Sequence, residues 1–180
     1  VKHANPCGVC ESEDIETAYR KAFKTDPTSA FGGIIAINRT LESSLAEEII
    51  ENQFVEVLIA PKFDMDTLNV LKKKENIRVL GCDLDGDGVG NQFKVVSGGV
   101  LVQDEDTKII SIDDLKVVSD LKPSQEQLDD FMFAWKVAKF VKSNAIVFAK
   151  DGQTIGIGAG QMSRVVSAEI ASLKAKEEGL

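Results

Sequence analysis

Two adjacent side chains near the start of the sequence, Lys2 and His3, are of types that suit proton transfer and charge stabilisation. His3 is the single histidine, and an imidazole exchanges protons near neutral pH, so it can act as a base. An adjacent ammonium keeps the ring neutral and can itself stabilise a developing oxyanion. Since neighbouring side chains of a strand point to opposite faces, we expect a bend that lets the two converge, and Asn5-Pro6 is consistent with one. A purely structural histidine is the alternative.

The cysteines that follow offer a second chemistry, zinc binding. His3, Cys7 and Cys10 include a Cys-x-x-Cys pair, and Pro6-Cys7 begins a pattern similar to that of nucleoside deaminases. Two features argue against zinc. The deaminase acid/base glutamate is here Asn5, and the His and Cys elements are nearly contiguous instead of being separated by a helix and a strand. We therefore interpret the cysteines as small, buried residues near a helix start.

An acidic loop, residues 83–88, matches the opening of a calcium-binding loop. The twelfth position of such a loop requires a bidentate glutamate, and here it is Lys94. The flanking segments have strand patterns, whereas a calcium loop of this kind needs a helix on each side. We therefore interpret 83–88 as a solvated surface loop.

A glycine-rich stretch, residues 156–164, leads from a predicted strand into a predicted helix. Glycines in this position let the backbone approach a ligand, and the free amides of a helix start favour an anion or a carbonyl oxygen. Arg164 would add a bidentate donor one turn into the helix, and Ser143-Asn144 precedes the neighbouring strand. As a dinucleotide fingerprint the stretch fails, because no acidic residue can be placed about twenty residues further on. The structural alternative is a tight turn with close packing.

A fourth candidate combines Phe31, Gly32 and Gly33 with Glu56. An aromatic residue followed by two glycines at a strand start makes a ring platform beside accessible backbone. Glu56 is a carboxylate within an otherwise apolar strand, and a buried carboxylate needs a partner or a ligand with donors. Phe31 as a plain core residue is the alternative.

The elements that must position these residues follow from apolar periodicity, which predicts an α/β fold with a mixed α+β sheet. Capping-box spacing marks helix starts at Ser44 with Glu47 and at Ser124 with Gln127. Helices are predicted over 14–24, from about 45, over 64–74, from 124 and near 161, and strands over 31–38, 55–60, 77–80, 92–97, 99–103, 145–149 and 154–157. The helix after Ser124 should face the core with Leu128, Phe131, Trp135, Ala138 and Val141.

Composition bounds the class of protein. The 180 residues are 43% hydrophobic and 28% charged, which is typical of a soluble globular chain able to bury one core, and no apolar run is long enough for a membrane span. The net charge of −8 argues against nucleic-acid binding, since phosphate backbones require clustered Lys and Arg. Three cysteines and no secretory leader favour a reducing, cytoplasmic setting. The sequence opens directly on a motif, so we expect an excised piece of a longer protein.

Long segments of the chain, taken together and in order, resemble one family: the AICAR transformylase part of the bifunctional purine biosynthesis protein that also carries IMP cyclohydrolase, in its bacterial form. The family fold is similar to duplicated cytidine-deaminase-like three-layer domains. The resemblance implies that residues 1–180 span most of the first copy, with an inserted helical region, and end near the junction to the second. The cyclohydrolase domain and the second copy would be absent. The resemblance rests on residues 1–8, 25–36, 54–61, 98–104, 135–147 and 155–164.

That resemblance implies an activity: transfer of a formyl group from 10-formyltetrahydrofolate to the exocyclic amine of the ribonucleotide AICAR, without a metal. It implies that His3 accepts the proton and that Lys2 stabilises the transition state. It also implies a homodimer with shared active sites, so we expect these 180 residues alone to be inactive or nearly so. The positions implied to bind the nucleotide are Phe31, Gly32, Glu56, Asn144 and Arg164, with Val165 where the folate approaches.

Two other functions stay open at this stage. A non-catalytic nucleotide-binding or assembly module would keep the Asn144 and Arg164 site without turnover. A zinc deaminase-like hydrolase would require stoichiometric metal.

Overall fold

The computed structural model of the protein describes residues 1–83 and 90–180. This part of the chain contains six helices and seven strands, with one short 3-10 turn at Ile112–Asp114. The helices are α1 (Ile15–Thr25), α2 (Pro27–Ala30), α3 (Ser43–Asn52), α4 (Met65–Leu71), α5 (Gln125–Ala138) and α6 (Arg164–Glu177). The strands are β1 (Gly33–Ala36), β2 (Val55–Ala60), β3 (Arg78–Gly81), β4 (Asn91–Val96), β5 (Gly99–Asp104), β6 (Ile146–Lys150) and β7 (Gln153–Gly158). The predicted mixed α/β class is confirmed.

Strands β1, β2 and β3 form a parallel sheet in that order. Parallel strands need a crossover between them, and α3 and α4 supply the two crossovers. Buried side chains of both helices and of α1 pack against the strands and form the larger core. Its members with 1% exposure or less are Leu41, Leu45, Ala46, Ile49, Leu58 and Ala60.

Strands β6 and β7 form an antiparallel hairpin that lies between α5 and α6. On one face, Ile157 packs with Phe133, Val137 and Val141 in a second core. The opposite face contacts α6, because alternate residues of a strand point to opposite sides. The hairpin therefore holds the end of β7 and the start of α6 in a fixed relation.

The fold has two halves: the β1–β3 sheet with its helices, and the β6–β7 hairpin with α5 and α6. Residues 1–11, here called the linking segment, join them. Val1 exchanges two backbone hydrogen bonds with Ile34 of β1, at 2.8 and 2.9 Å. Further along, Val9 accepts a hydrogen bond from the backbone of Thr154 in β7 at 2.9 Å. The same short stretch of chain is thus fixed to β1 at one end and to β7 at the other.

The structure corrects two details of the predicted helices. Ser44 and Glu47 do not form a capping box, because α3 begins two residues earlier than predicted and its N-cap, Glu42, makes no side-chain capping bond. By contrast, the capping box of Ser124 with Gln127 is confirmed.

The predicted core face of α5 is wrong along most of the helix, although Val141, just beyond its end, is buried as predicted. Phe131 and Trp135 are 55% and 54% exposed, whereas Phe133 and Val137 are buried. Two apolar stripes run along this helix, and periodicity alone does not say which one meets the hairpin.

Strands β4 and β5 pair as an isolated antiparallel ribbon whose residues are all exposed, including Phe93 and Val95. The predicted acidic loop at 83–88 lies largely outside the described residues. No helix within 1–83 and 90–180 is both long and apolar enough to cross a bilayer.

Candidate functional site at the Lys2-His3 turn

A tight turn carries Lys2 and His3. Lys2 and Asn5 exchange backbone hydrogen bonds of 2.8 and 3.0 Å, and the two residues between them, His3 and Ala4, have φ values of 49° and 64°. Positive φ at both central positions is the geometry of a type I′ turn, which usually takes glycine or asparagine. The expected bend is confirmed, and it presents His3 to solvent.

The Lys2 ammonium lies against the backbone that follows α2. Its Nζ donates to the carbonyl oxygens of Phe31 at 2.6 Å and Gly32 at 3.0 Å. A Cβ placed on Gly32 would lie 2.9 Å from this Nζ and 3.8 Å from Oε1 of Glu56. Three predicted site residues, Lys2, Gly32 and Glu56, are therefore brought together, although 54 positions separate the first from the last.

Gly32 has φ +67°, a conformation that side-chain-bearing residues rarely adopt. Its amide donates to the Phe54 carbonyl at 2.8 Å, which fixes the loop before β1 to the start of β2. Both the space and the backbone angle thus require glycine at this position.

Exposed aromatic rings border this group. Phe31 is 64% exposed, so the alternative of a plain core residue is wrong. Its ring centroid lies 5.5 Å from that of Phe54. Glu56 is also exposed, so the expectation of a buried carboxylate is wrong. Alternation in β2 puts Phe54 and Glu56 on one face, a pattern that could have identified Phe54 from the sequence.

Asn144 organises the loop on the other side of the candidate site. Its Nδ2 donates to the carbonyl oxygens of Gln161 at 3.0 Å and Met162 at 3.1 Å. Its own carbonyl accepts from the Ser167 hydroxyl in α6 at 2.8 Å. Both side-chain amide hydrogens of Asn144 are therefore used within the protein.

Arg164 is the first residue of α6 and is exposed, not one turn into the helix as predicted. Ser163 caps the helix through a hydrogen bond from the Val165 amide to its hydroxyl at 3.2 Å. Val165 itself is 67% exposed. Arg164 and Val165 thus lie next to each other at the helix start, directly after the loop that Asn144 holds.

The glycines of β7 serve packing, which was the structural alternative. A Cβ on Gly156 would lie 2.1 Å from the Ala171 carbonyl oxygen, and one on Gly158 would lie 1.9 Å from that of Ser167. Both glycines let α6 lie directly on the strand. Their interpretation as ligand-facing is wrong, and only Gly160, with φ +68° and open space around it among the described residues, remains at the exposed bend.

One ion pair connects the two halves behind the site. Asp26 caps α2 through the Ser29 amide at 2.9 Å, and Lys174 near the end of α6 donates to the same carboxylate. Burial alone raises the pKa of Asp26, but hydrogen bonds from Lys174 and Ser29 outweigh it and hold that pKa below its usual range. Because α2 leads directly to Phe31, this pair supports the backbone that receives Lys2.

The cysteines Cys7 and Cys10 are only partly buried, so the expectation that both are buried is wrong. Cys10 is partly buried, and burial raises the pKa of its thiol more than the charge of Lys21 lowers it. Among residues 1–83 and 90–180, no three His, Cys, Asp or Glu side chains are grouped as metal ligands. His3, Cys7 and Cys10 therefore do not converge as a ligand set in this conformation.

Taken together, these contacts describe a mixed α/β protein in which the Lys2 ammonium lies against the backbone of Phe31 and Gly32, and a loop held by Asn144 precedes Arg164. The chain belongs to the AICARFT/IMPCHase bienzyme family, whose sequence model matches residues 1–174. It is thus a member of an enzyme family of purine biosynthesis.

Proposed function

We propose that this chain carries the transformylase chemistry of its family, formyl transfer from 10-formyltetrahydrofolate to the exocyclic amine of AICAR. The observation that supports it most strongly is the Lys2-His3 turn, with Nζ of Lys2 bound to the Gly32 carbonyl and Glu56 near the same glycine. Conversion of IMP-related substrates by a cyclohydrolase is the other activity in the family name, and the turn favours a group transfer that needs both a base and a cation.

The chemistry follows from the substrates. An aromatic amine conjugated to a carboxamide is a poor nucleophile, so a base must remove its proton as the nitrogen attacks the formyl carbon. His3 would accept that proton. As the bond from the formyl carbon to the folate nitrogen breaks, that nitrogen needs a proton, and the protonated His3 can return it.

Lys2 would stabilise the charge that develops on the formyl oxygen. An ammonium has three donors, and Lys2 uses two of them for Phe31 and Gly32, so its third donor remains for the oxyanion. Holding an ammonium in place beforehand is more effective than recruiting it during the reaction, because no reorganisation is needed.

The nucleotide would lie between Gly32 and Glu56 on one side and Asn144 and Arg164 on the other, with the folate approaching at Val165. A guanidinium suits an anionic or carbonyl group of the substrate through two parallel hydrogen bonds. We further propose, on the family resemblance, that a second subunit completes each site in a homodimer. Sedimentation of the full-length protein with and without AICAR tests this: a monomer under both conditions would contradict it.

His3→Asn in the full-length protein tests the catalytic role. Asparagine tolerates positive φ, so the turn persists while the base is removed, and we expect kcat for formyl transfer to fall by about 10²- to 10⁴-fold. AICAR binding, measured by calorimetry, should stay within about threefold of the wild type, which is less than one hydrogen bond is worth. Unchanged turnover would remove His3 from the mechanism, and bound AICAR without any wild-type turnover would favour the non-catalytic binding module.

A further inference from the structure

Asn5 connects the histidine turn to the opposite side of the candidate site. Its backbone closes the turn with Lys2, and its side-chain Oδ1 accepts a hydrogen bond from the Lys142 amide at 2.9 Å. Lys142 and Asn5 are 137 positions apart in the sequence. One residue therefore takes part in the turn and also contacts the segment that precedes Asn144.

The contact continues through backbone hydrogen bonds. The Lys142 carbonyl accepts from the Gly160 amide at 2.8 Å, and the Asn144 amide donates to Gln161 at 3.0 Å. Residues 142–144 are thus paired with residues 160–161, which lie in the loop that leads to Arg164. A displacement of the Lys142 segment would move this loop relative to the turn.

The turn has a physical need for such support. His3 and Ala4 both occupy the left-handed region, where a residue with a side chain is less stable by about 1–2 kcal/mol. Without support, the backbone can relax to a more favourable turn and redirect the His3 ring. The side chain of Asn5 restricts that relaxation because it fixes the end of the turn to a second segment.

We propose that Asn5 is a positioning residue for His3, an inference that rests on the proposed formyl transfer. Through the Lys142 amide, its Oδ1 fixes the turn that carries the base against the loop that carries Asn144 and Arg164. Asn5 itself does not touch the reacting atoms. It sets the distance between the base and the nucleotide.

Asn5→Ala and Asn5→Asp in the full-length protein test this. Alanine removes the acceptor, and a misplacement of about 1 Å in a catalytic group costs up to about 100-fold in rate, so we expect kcat to fall by about 10- to 100-fold with a KM for AICAR within about threefold. Aspartate keeps an oxygen at the Oδ1 position, so kcat should return to within about threefold of the wild type. Amide hydrogen exchange at Lys142 should be faster in Asn5→Ala and slow in the other two proteins.

Asp130→Ala is the matched control. The Asp130 carboxylate also links two segments by accepting from backbone amides, those of Asp151 at 3.1 Å and Gly152 at 3.0 Å, but at the far end of the β6–β7 hairpin. The Asp130→Ala substitution should lower the free energy of unfolding and leave kcat of the folded protein unchanged.

Four outcomes would contradict the role of Asn5. They are wild-type kcat in Asn5→Ala, equal losses in Asn5→Ala and Asn5→Asp, unchanged exchange at Lys142, and an equal loss of kcat in Asp130→Ala. An inactive wild-type protein would overturn the proposed function and this role with it, whereas an active wild type with an unaffected Asn5→Ala would overturn the role alone.

Discussion

The two halves of the fold, β1–β3 with their helices and the β6–β7 hairpin with α5 and α6, contribute different chemistry to the candidate site. The first half presents a glycine in the left-handed region, a carboxylate at Glu56 and carbonyl oxygens that hold an ammonium. The second presents an amide loop and the exposed guanidinium of Arg164 at a helix start. The Lys2 ammonium and Glu56 lie near Gly32 on one side, and the exposed guanidinium of Arg164 lies on the other.

The contrast extends to how each half is stabilised. The first has the larger apolar core, and the second relies on close backbone contact between α6 and β7, which Gly156 and Gly158 permit. The linking segment pairs with both. A ligand that contacts both halves would be recognised only if they keep their relative position.

The largest effect expected on binding or stability comes from removing the guanidinium of the second half. Arg164→Met should weaken AICAR binding by about 10- to 100-fold, because a hydrogen bond from a charged group contributes about 1.5–3 kcal/mol. Isothermal titration calorimetry measures this directly. Arg78→Met is the matched control, since Arg78 is also exposed but lies in β3. Equal affinities for the two variants would show that Arg164 makes no contact with the nucleotide.

Close packing between β7 and α6 gives the next effect. Gly158→Ala should lower the free energy of unfolding by about 1–3 kcal/mol, because the new Cβ meets the Ser167 carbonyl oxygen and α6 must move. Chemical denaturation measures it. Gly99→Ala in the exposed β4–β5 ribbon is the control, because no atom of the described residues lies within 4 Å of that Cβ position. A Gly158→Ala protein as stable as Gly99→Ala would contradict the packing role.

The smallest effect concerns the ion pair behind the site. Asp26→Asn keeps an acceptor for the Ser29 amide but removes the charge that Lys174 meets, so we expect a loss of about 1–2 kcal/mol at pH 7. A carboxyl whose pKa is lowered by folding adds stability above its unfolded pKa of about 3.9 and loses it as the pH falls through the lower folded value.

The difference in stability between wild type and Asp26→Asn should therefore shrink as the pH falls below about 4. Urea titrations from pH 7 to pH 2 measure it, and Lys174→Met should show the same pH dependence as Asp26→Asn. A difference that is constant with pH would mean that the Asp26 charge contributes nothing.

Much of this architecture could be predicted from the sequence, because helices and strands with one apolar face are periodic. The β2 prediction, residues 55–60, agrees at both ends, and Ser124 marks the start of α5 correctly. The exposed face of α5 could not be predicted, since Phe131 and Phe133 are equally apolar and the choice depends on where the hairpin lies.

The site was predictable as separate motifs and not as an arrangement. Residue type and adjacency identified Lys2 and His3, and Glu56 was noticeable as a carboxylate in an apolar strand. Glu56 proved to be exposed, because burial depends on what covers the strand. The role of Asn5 depends on a hydrogen bond from the Lys142 backbone amide. Every residue except proline has such an amide, so the residue type at position 142 does not predict this bond. The packing role of Gly156 and Gly158 likewise requires the position of α6.

The most direct test of the account is an NMR titration of the isotope-labelled protein with AICAR. The resonances of backbone amides on both sides should shift together with one dissociation constant. These amides are Gly32 and Glu56 in the first half and Gln161 and Arg164 in the second. Shifts confined to one half, or two halves that respond with different dissociation constants, would contradict a nucleotide site built from both.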